Sequence, residues 1–279
     1  MAEIRPAWSE QFEPGRLRPV AALGLPGPIS REWAWGGATG AGVKVAVIDS
    51  GIEASHPAVG GVAGGVILEY SPDSPEADEE GIVATLGPHE DLYGHGTACA
   101  AIIKKVAPEC ELYSVRVLGK KLTGKGIVFA GGLQWAIANG MNVVNLSLST
   151  SKQDYFALFH DIVDDAYFHN VMLVSAINNV PSPSYPSQYA GVFSVAAHEG
   201  KDPLGFDYNP SPPVEFGAPG IDLEVAWQQA SFIEATGNSF AAPHIAGVVA
   251  KILSKHPGLT PFQMKTILAA LATNANVGG

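Results

Sequence analysis

The sequence predicts an α/β fold: a doubly wound, mostly parallel β-sheet flanked by helices. Three observations carry this. Short apolar, β-branched runs recur at residues 43–48, 142–148, 171–177 and 192–197; segments with helical spacing, 127–139 and 155–168, lie between them; and a strongly apolar helical pattern follows a polar junction at 237–244. A strand that is apolar at nearly every position is one covered on both faces, as in parallel sheets. Strand–helix–strand alternation with right-handed crossovers then builds a doubly wound sheet.

In chain order, residues 1–41 carry Pro6, Pro14, Pro19, Pro26 and Pro28 and read as an extended N-terminal arm with a short helix from Ser30 to Trp35 near its end. Residues 42–279 read as one globular domain. The first buried strand ends on Asp49. Residues 52–92 read as loop and a short hairpin and hold an acidic run, Glu69, Asp73, Glu76, Asp78, Glu79, Glu80, Glu90 and Asp91, of the kind that forms a solvated surface or borders a cleft for basic substrates. Residues 98–103 are a helix of small side chains, and 111–118 alternate as a strand. Gly140 caps the helix at 127–139. Residues 200–213 are loop, and 216–236 hold two short strands around Trp227. In the last large helix Ile245, Val248, Val249, Ile252 and Leu253 share one face, Pro243 falls in the first turn where N–H groups lack partners, and Pro257-Gly258 ends it. Thr260-Pro261-Phe262-Gln263 is a capping box with proline at the first helical position, opening a helix to about Ala272.

The 279 residues are 47% hydrophobic and 15% charged with a formal net charge of −11, which suits a globular chain and argues against nucleic acid or an anionic membrane as partner. No apolar run reaches the roughly 20 residues of a membrane span, and residues 1–30 lack the basic start and apolar core of a signal peptide. The chain therefore reads as a cytoplasmic monomer. Two cysteines, Cys99 and Cys110, are too few for a disulfide framework and are expected as free thiols.

Four polar residues fall where such a sheet builds its sites, at strand ends and helix starts: Asp49, His95, Asn178 and Ser239. Each alone has a commonplace reading, Ser239 above all as a helix cap. Together they supply a hydroxyl nucleophile, an imidazole to take its proton, a carboxylate to orient the imidazole, and a donor for an oxyanion.

On the motifs Val47-Ile48-Asp49-Ser50-Gly51, Gly94-His95-Gly96-Thr97 and Gly237-Asn238-Ser239-Phe240-Ala241-Ala242-Pro243-His244, the chain resembles the subtilisin-like serine proteases, or subtilases, from about residue 43 to 271. The order Asp, His, Ser is that of subtilisin, itself a standard worked case of the triad. The resemblance implies a serine endopeptidase working through an acyl-enzyme. Asp49 would orient His95, His95 would act as base and then acid, Ser239 would attack, and Asn178 would be the oxyanion donor, with Asn179 the alternative. It implies that Ser147, Leu148 and Ser149, with Thr150, line the primary specificity pocket, and that the strand including Leu122, Thr123 and Gly124 pairs with a peptide or protein substrate. No cofactor is required and no tight metal site is expected, because the segment after His95 lacks the loop that holds calcium in secreted subtilisins; acidic loops elsewhere leave weak calcium binding open.

Departures from the family pattern shape the remaining expectations. Ser149 and Thr150 stand where Gly-Gly is usual, and should narrow the pocket. Asn238 replaces a threonine before the nucleophile as a second possible oxyanion donor, and Phe240 replaces methionine. Ile177 stands where a glycine is expected before the oxyanion asparagine, which would strain the backbone if φ there is positive. No segment ahead of residue 42 resembles the family's folding prodomain, so the chain is expected either to fold unaided or to be part of a longer protein. An endopeptidase is the leading expectation, including a leader-removing maturation protease; the alternatives are a transpeptidase or macrocyclase of the same fold, and an inactive binding module.

Overall fold

The computed structural model describes residues 29–275; the greater part of the expected arm, residues 1–28, and residues 276–279 lie outside the described residues. The strands are β1 (Lys44–Asp49), β2 (Gly64–Tyr70), β3 (Ile82–Leu86), β4 (Glu111–Arg116), β5 (Val143–Leu146), β6 (Met172–Ala176), β7 (Phe193–His198), β8 (Asp207–Tyr208), β9 (Phe216–Pro219), β10 (Leu223–Trp227) and β11 (Ser231–Ala235). The helices are α1 (Arg31–Trp35), α2 (His95–Val106), α3 (Gly126–Ala138), α4 (Phe156–Phe168), α5 (Asn238–Lys255) and α6 (Pro261–Leu271).

Nine strands form one sheet in the order β3-β2-β4-β1-β5-β6-β7-β9-β8. Every pairing from β2 through β9 is parallel, and only the edge strands β3 and β8 run antiparallel to their neighbours. The expected hairpin in residues 52–92 thus exists as β2 and β3, but it extends the main sheet, because β2 also pairs with β4. Of the strands expected in 216–236, β9 belongs to the large sheet, while β10 and β11 form a separate antiparallel hairpin. A further two-residue strand, β8, lies in the stretch read as loop.

Alternate residues of β1 serve the two sides of the sheet. Val45 and Val47 pack with α1, α2, α5 and α6, whereas Ala46 and Ile48 pack with α3 and α4. This is why the run at 43–48 is continuously apolar rather than alternating. Residues 29–41 are not a loose arm: Trp35 is buried, Trp33 stacks on His256 with ring centroids 4.3 Å apart, and Lys255 Nζ donates to the carbonyls of Glu32 and Gly36. The short helix expected there forms as α1 and rests on the end of α5. The Thr260 capping box forms as expected, and no helix of the described residues is long and apolar enough to cross a membrane.

The buried helix α5 crosses α2 at Gly247. A Cβ at that position would lie 2.6 Å from Val106 Cβ and 3.3 Å from the Ile103 carbonyl oxygen. The two helices therefore approach to backbone distance, and α2 begins at His95 while α5 begins beside Ser239. Gly247→Ala must push them apart, so it is expected to destabilise the fold by about 1–3 kcal/mol, as overpacking of a dense core does. A denaturant-unfolding midpoint equal to that of the parent would show that the crossing is not tight.

Candidate active site

Asp49 closes β1 at the carboxyl edge of the sheet, where its carbonyl accepts bonds from the N–H groups of Val117 and Leu118 at 2.9 and 3.1 Å. Its carboxylate accepts from the Ser50 N–H at 2.7 Å and from His95 Nδ1–H at 2.8 and 3.0 Å. A carboxylate can only accept, so the proton of neutral His95 sits on Nδ1 and Nε2 is left as a bare acceptor. His95 opens α2 directly after Gly94, whose φ of 111° is closed to most side chains and whose Cα faces the Trp227 ring. The flanking glycines suggest an accessible imidazole, yet His95 is buried: the close approach they permit packs it in.

Asp91, which the sequence groups with the acidic run, is buried behind His95. It accepts five hydrogen bonds, from Ser50 Oγ, from the N–H groups of Tyr93, Gly94 and Thr97, and from Thr97 Oγ1, at 2.6–2.9 Å. The available signal was its place four residues ahead of His95, where a carboxylate can collect the orphan N–H groups of a helix start. Burial works against a charged His95, but the charge and hydrogen bond of Asp49, with the charge of Asp91 behind it, outweigh burial and raise its pKa above the ordinary histidine value.

Ser239 is the second residue of α5, half-buried, with Gly237 extended at the helix cap. Pro243 does not fall in the first turn as expected but at the sixth helical residue, so it removes the N–H that would reach back to the carbonyl four residues earlier, which is that of Ser239. That carbonyl instead accepts from Ser147 Oγ at 2.7 Å. Ser147 also accepts from Asn145 Nδ2 at 3.0 Å and from Cys99 Sγ at 3.3 Å. The nucleophile candidate is thus tied by its own backbone to the end of β5 and, through Ser147 and Cys99, to α2. Cys99 and Cys110 are both free and buried, and burial, the largest influence on each, pushes both thiols up, Cys99 well up and Cys110 to about 11.

The oxyanion side differs from the sequence expectation at three residues. Asn178 Nδ2 donates to Ser182 Oγ at 3.0 Å and to the Pro183 carbonyl at 3.1 Å, which commits it to its own loop. Asn179 accepts the Asn238 N–H at 2.9 Å through Oδ1, and this bond settles its amide orientation because a backbone N–H can only donate. A point one bond from Gly237 Cα lies 3.7 Å from Asn179 Nδ2 and 3.3 Å from Ser239 Oγ, so the two groups sit at the same end of the cavity. Asn238 does not offer its side chain to the cleft. Its Nδ2 donates to the carbonyls of Ile177 and Asn178 at 3.0 and 3.1 Å, and its Oδ1 accepts from the Ala197 N–H at 2.8 Å, so it staples α5 to the ends of β6 and β7. Ile177 is not among the residues with positive φ, so the strain expected there is absent.

A cavity of about 370 Å³ runs between these groups, lined by His95, Ser239, Asn178 and Asn179, by Leu122, Thr123 and Gly124 on one wall, and by Ser147, Leu148, Ser149 and Thr150 on the other. Neither wall is a strand as expected. β5 ends at Leu146, Leu122 sits in a turn with φ of 54°, and Thr150 makes only an isolated antiparallel bridge with Tyr185. The charged side chains on this cavity besides His95 are Lys125 and Lys152, and the acidic run does not border it. Among the described residues, the one group of three His, Cys, Asp or Glu donors within 4.8 Å is Asp49, His95 and Cys99, whose nitrogen and sulfur donors do not suit calcium.

Asn238→Ala would leave the Ile177 and Asn178 carbonyls and the Ala197 N–H without this partner. A loss of about 2–3 kcal/mol in unfolding free energy is expected, measured by denaturant titration; a change under about 0.5 kcal/mol, the scatter of ordinary surface substitutions, would show that solvent replaces the staple.

The comparisons with known proteins agree with this geometry. Residues 40–279 match the model of the Subtilase family. The chain is 33% identical over 257 residues to M-protease of Shouchella clausii, covering 87% of this chain and 63% of that protein. It is 32% identical to a thermostable alkaline protease of Halalkalibacterium halodurans, covering 85% and 64% respectively. It is also 32% identical to Subtilisin Savinase of Lederbergia lenta, covering 85% and 86%. The chain thus spans less than two thirds of the length of the first two relatives. The crystal structure of a cold adapted subtilisin-like serine proteinase superposes with a TM-score of 0.67 at 26% identity, covering 84% of this chain and 83% of that one. With its parallel sheet, the carboxylate–imidazole pair at the end of β1 and the serine at the start of α5, the chain belongs to the subtilase family.

Proposed function

We propose that this protein is a serine endopeptidase acting on peptide or protein substrates, with Asp49, His95 and Ser239 as its triad. The observation that carries the reading is the bond from His95 Nδ1–H to Asp49, which fixes the tautomer whose Nε2 is open in the cavity shared with Ser239. His95 Nε2 takes the Ser239 hydroxyl proton as Oγ bonds to the substrate carbonyl carbon. The protonated imidazole is held by Asp49 and passes that proton to the leaving amine as the C–N bond breaks. Water then enters by the same base and releases the acid from Ser239 Oγ. The oxyanion is received by Asn179 Nδ2 and by the Ser239 N–H, which, in the first turn of α5, has no intrahelical partner. The chemistry draws on the chain's own groups and calls for no cofactor. Lys125 and Lys152 on the cavity favour neutral or acidic segments over the basic substrates that the acidic run suggests.

A fluorophosphonate should label Ser239 and fail on Ser239→Ala; an unlabelled parent would support the inactive binding module. Product masses from a peptide library distinguish hydrolysis from acyl transfer, since joined or cyclised products arise only from the latter. Asn179→Ala should lower turnover by about 10²–10³, the cost long established for such a donor in subtilisin itself rather than a figure derived from this chain. Asn178→Ala should cost far less, and the reverse ranking would return the oxyanion role to Asn178.

The raised pKa of His95 has two opposite consequences with pH. Activity needs neutral imidazole, so kcat/KM should rise with pH through an apparent pKa above the ordinary 6.5 of histidine. Stability from the protonated His95–Asp49 pair is fully present below the unfolded value near 6.5 and is lost as pH rises through the higher folded value. Asp49→Asn should accordingly lower the melting temperature more at pH 5.5 than at pH 9. Equal losses at both would contradict the raised pKa.

A further inference from the structure

A cavity of about 390 Å³ adjoins the cleft that holds Ser239 and shares Val117, Leu118, Gly124 and Lys125 with it. Arg116, the last residue of β4, lines this second cavity. It is the register partner of Asp49 in the β1–β4 pairing, one strand spacing of about 4.8 Å away. The two residues after it, Val117 and Leu118, bond the Asp49 carbonyl through their N–H groups. The cavity is therefore built on the same strand ends as the carboxylate that orients His95.

The Arg116 side chain is only 14% exposed, yet its guanidinium makes no hydrogen bond among the described residues. Its ion-pair partner Glu69 lies 3.8 Å away, beyond hydrogen-bond distance, and is itself 71% exposed. The buried side-chain atoms left without a partner are Asn145 Oδ1 and His244 Nε2, so the Arg116 nitrogens are not sealed off and open on the cavity they line. A guanidinium carries five N–H donors in a planar fork that matches a carboxylate, and a largely enclosed one is seldom left unbonded. Lys125 is the second cation. Its Nζ sits 3.3 Å above the centre of the Tyr70 ring, which holds the ammonium in place and leaves its N–H groups without a hydrogen bond. Two cations thus stand against the single carboxylate of Glu69, in a chain of net charge −11, with Leu68, Leu92 and Val128 as apolar walls.

We infer that this cavity is a subsite for an acidic substrate side chain, whose carboxylate is taken by the Arg116 fork and by Lys125. An extended peptide beside Leu122, Thr123 and Gly124 turns its side chains alternately to one side and the other. One that passes Leu118, which borders both cavities, leaves the cleft and enters this one. The protein accordingly selects peptides with a glutamate or aspartate close to the bond it cleaves. The inference deepens the endopeptidase reading and rests on it, but binding at the subsite does not require turnover.

The probes are acetylated peptide amides of alanine and leucine with one glutamate, moved from position to position, each beside its glutamine twin. Binding is titrated by calorimetry into the full chain carrying Ser239→Ala, and kcat/KM is measured with the parent. At one position glutamate should be preferred about tenfold over glutamine, the difference between a charge-assisted and a neutral hydrogen-bonded contact. Arg116→Gln should cut that ratio to below about threefold, and Arg116→Lys, which keeps the charge and loses the fork, should fall between. Lys125→Gln, at an exposed position, should also lower it. Each ratio is taken within one variant, so a smaller folded fraction does not alter it. A preference at no position, an equal preference at every position, or an undiminished ratio in Arg116→Gln would overturn the subsite. Glutamate-selective binding without cleavage by the parent would keep the subsite and remove the endopeptidase reading.

Discussion

The carbonyl of Ser239 is the point on which the active region depends. Pro243 denies it the helical hydrogen bond it would otherwise make, and a buried carbonyl without a partner costs about as much as a lost hydrogen bond. Ser147 Oγ meets that need and in turn accepts from the Cys99 thiol on α2. One proline thus converts a backbone group of α5 into a tie to the end of β5 and to α2. Thirteen of the eighteen residues of α5 are buried, so the helix cannot slide to relieve this tie. Ser239, the proposed nucleophile, is thus carried by a largely buried helix, which suits a reaction demanding near-contact geometry.

Around that tie, the polar groups of the site form two separate systems. Asp49 and Asp91 serve the imidazole: the first bonds it directly, and the second closes the start of α2 through five accepted bonds. Asn238 and Asn179 form the other, on the side proposed for the oxyanion: the first staples α5 to the ends of β6 and β7, and the second is oriented by the backbone N–H of the first. Each system spans elements distant in sequence, so both halves of the site are set when α2 and α5 dock. The close crossing at Gly247 is therefore coupled to the geometry of the site as well as to stability.

Sequence alone determined what depends on local pattern. Continuous apolar strands, helical spacing and three motifs in order specify a parallel α/β sheet and place Asp49, His95 and Ser239 at its carboxyl edge, because each signal is contained within a few consecutive residues. The tertiary structure decided what depends on partners far along the chain. Whether Asn178 or Asn179 turns to the cleft rests on the N–H of Asn238, some sixty residues away. Whether Asp91 is solvated or buried rests on Ser50 and on where α2 starts. Whether Pro243 is a tolerated first-turn residue or the cause of a tertiary tie rests on Ser147. Hydrogen-bond donors are directional and short-ranged, so a polar side chain's role is fixed only by what the fold brings within about 3 Å of it.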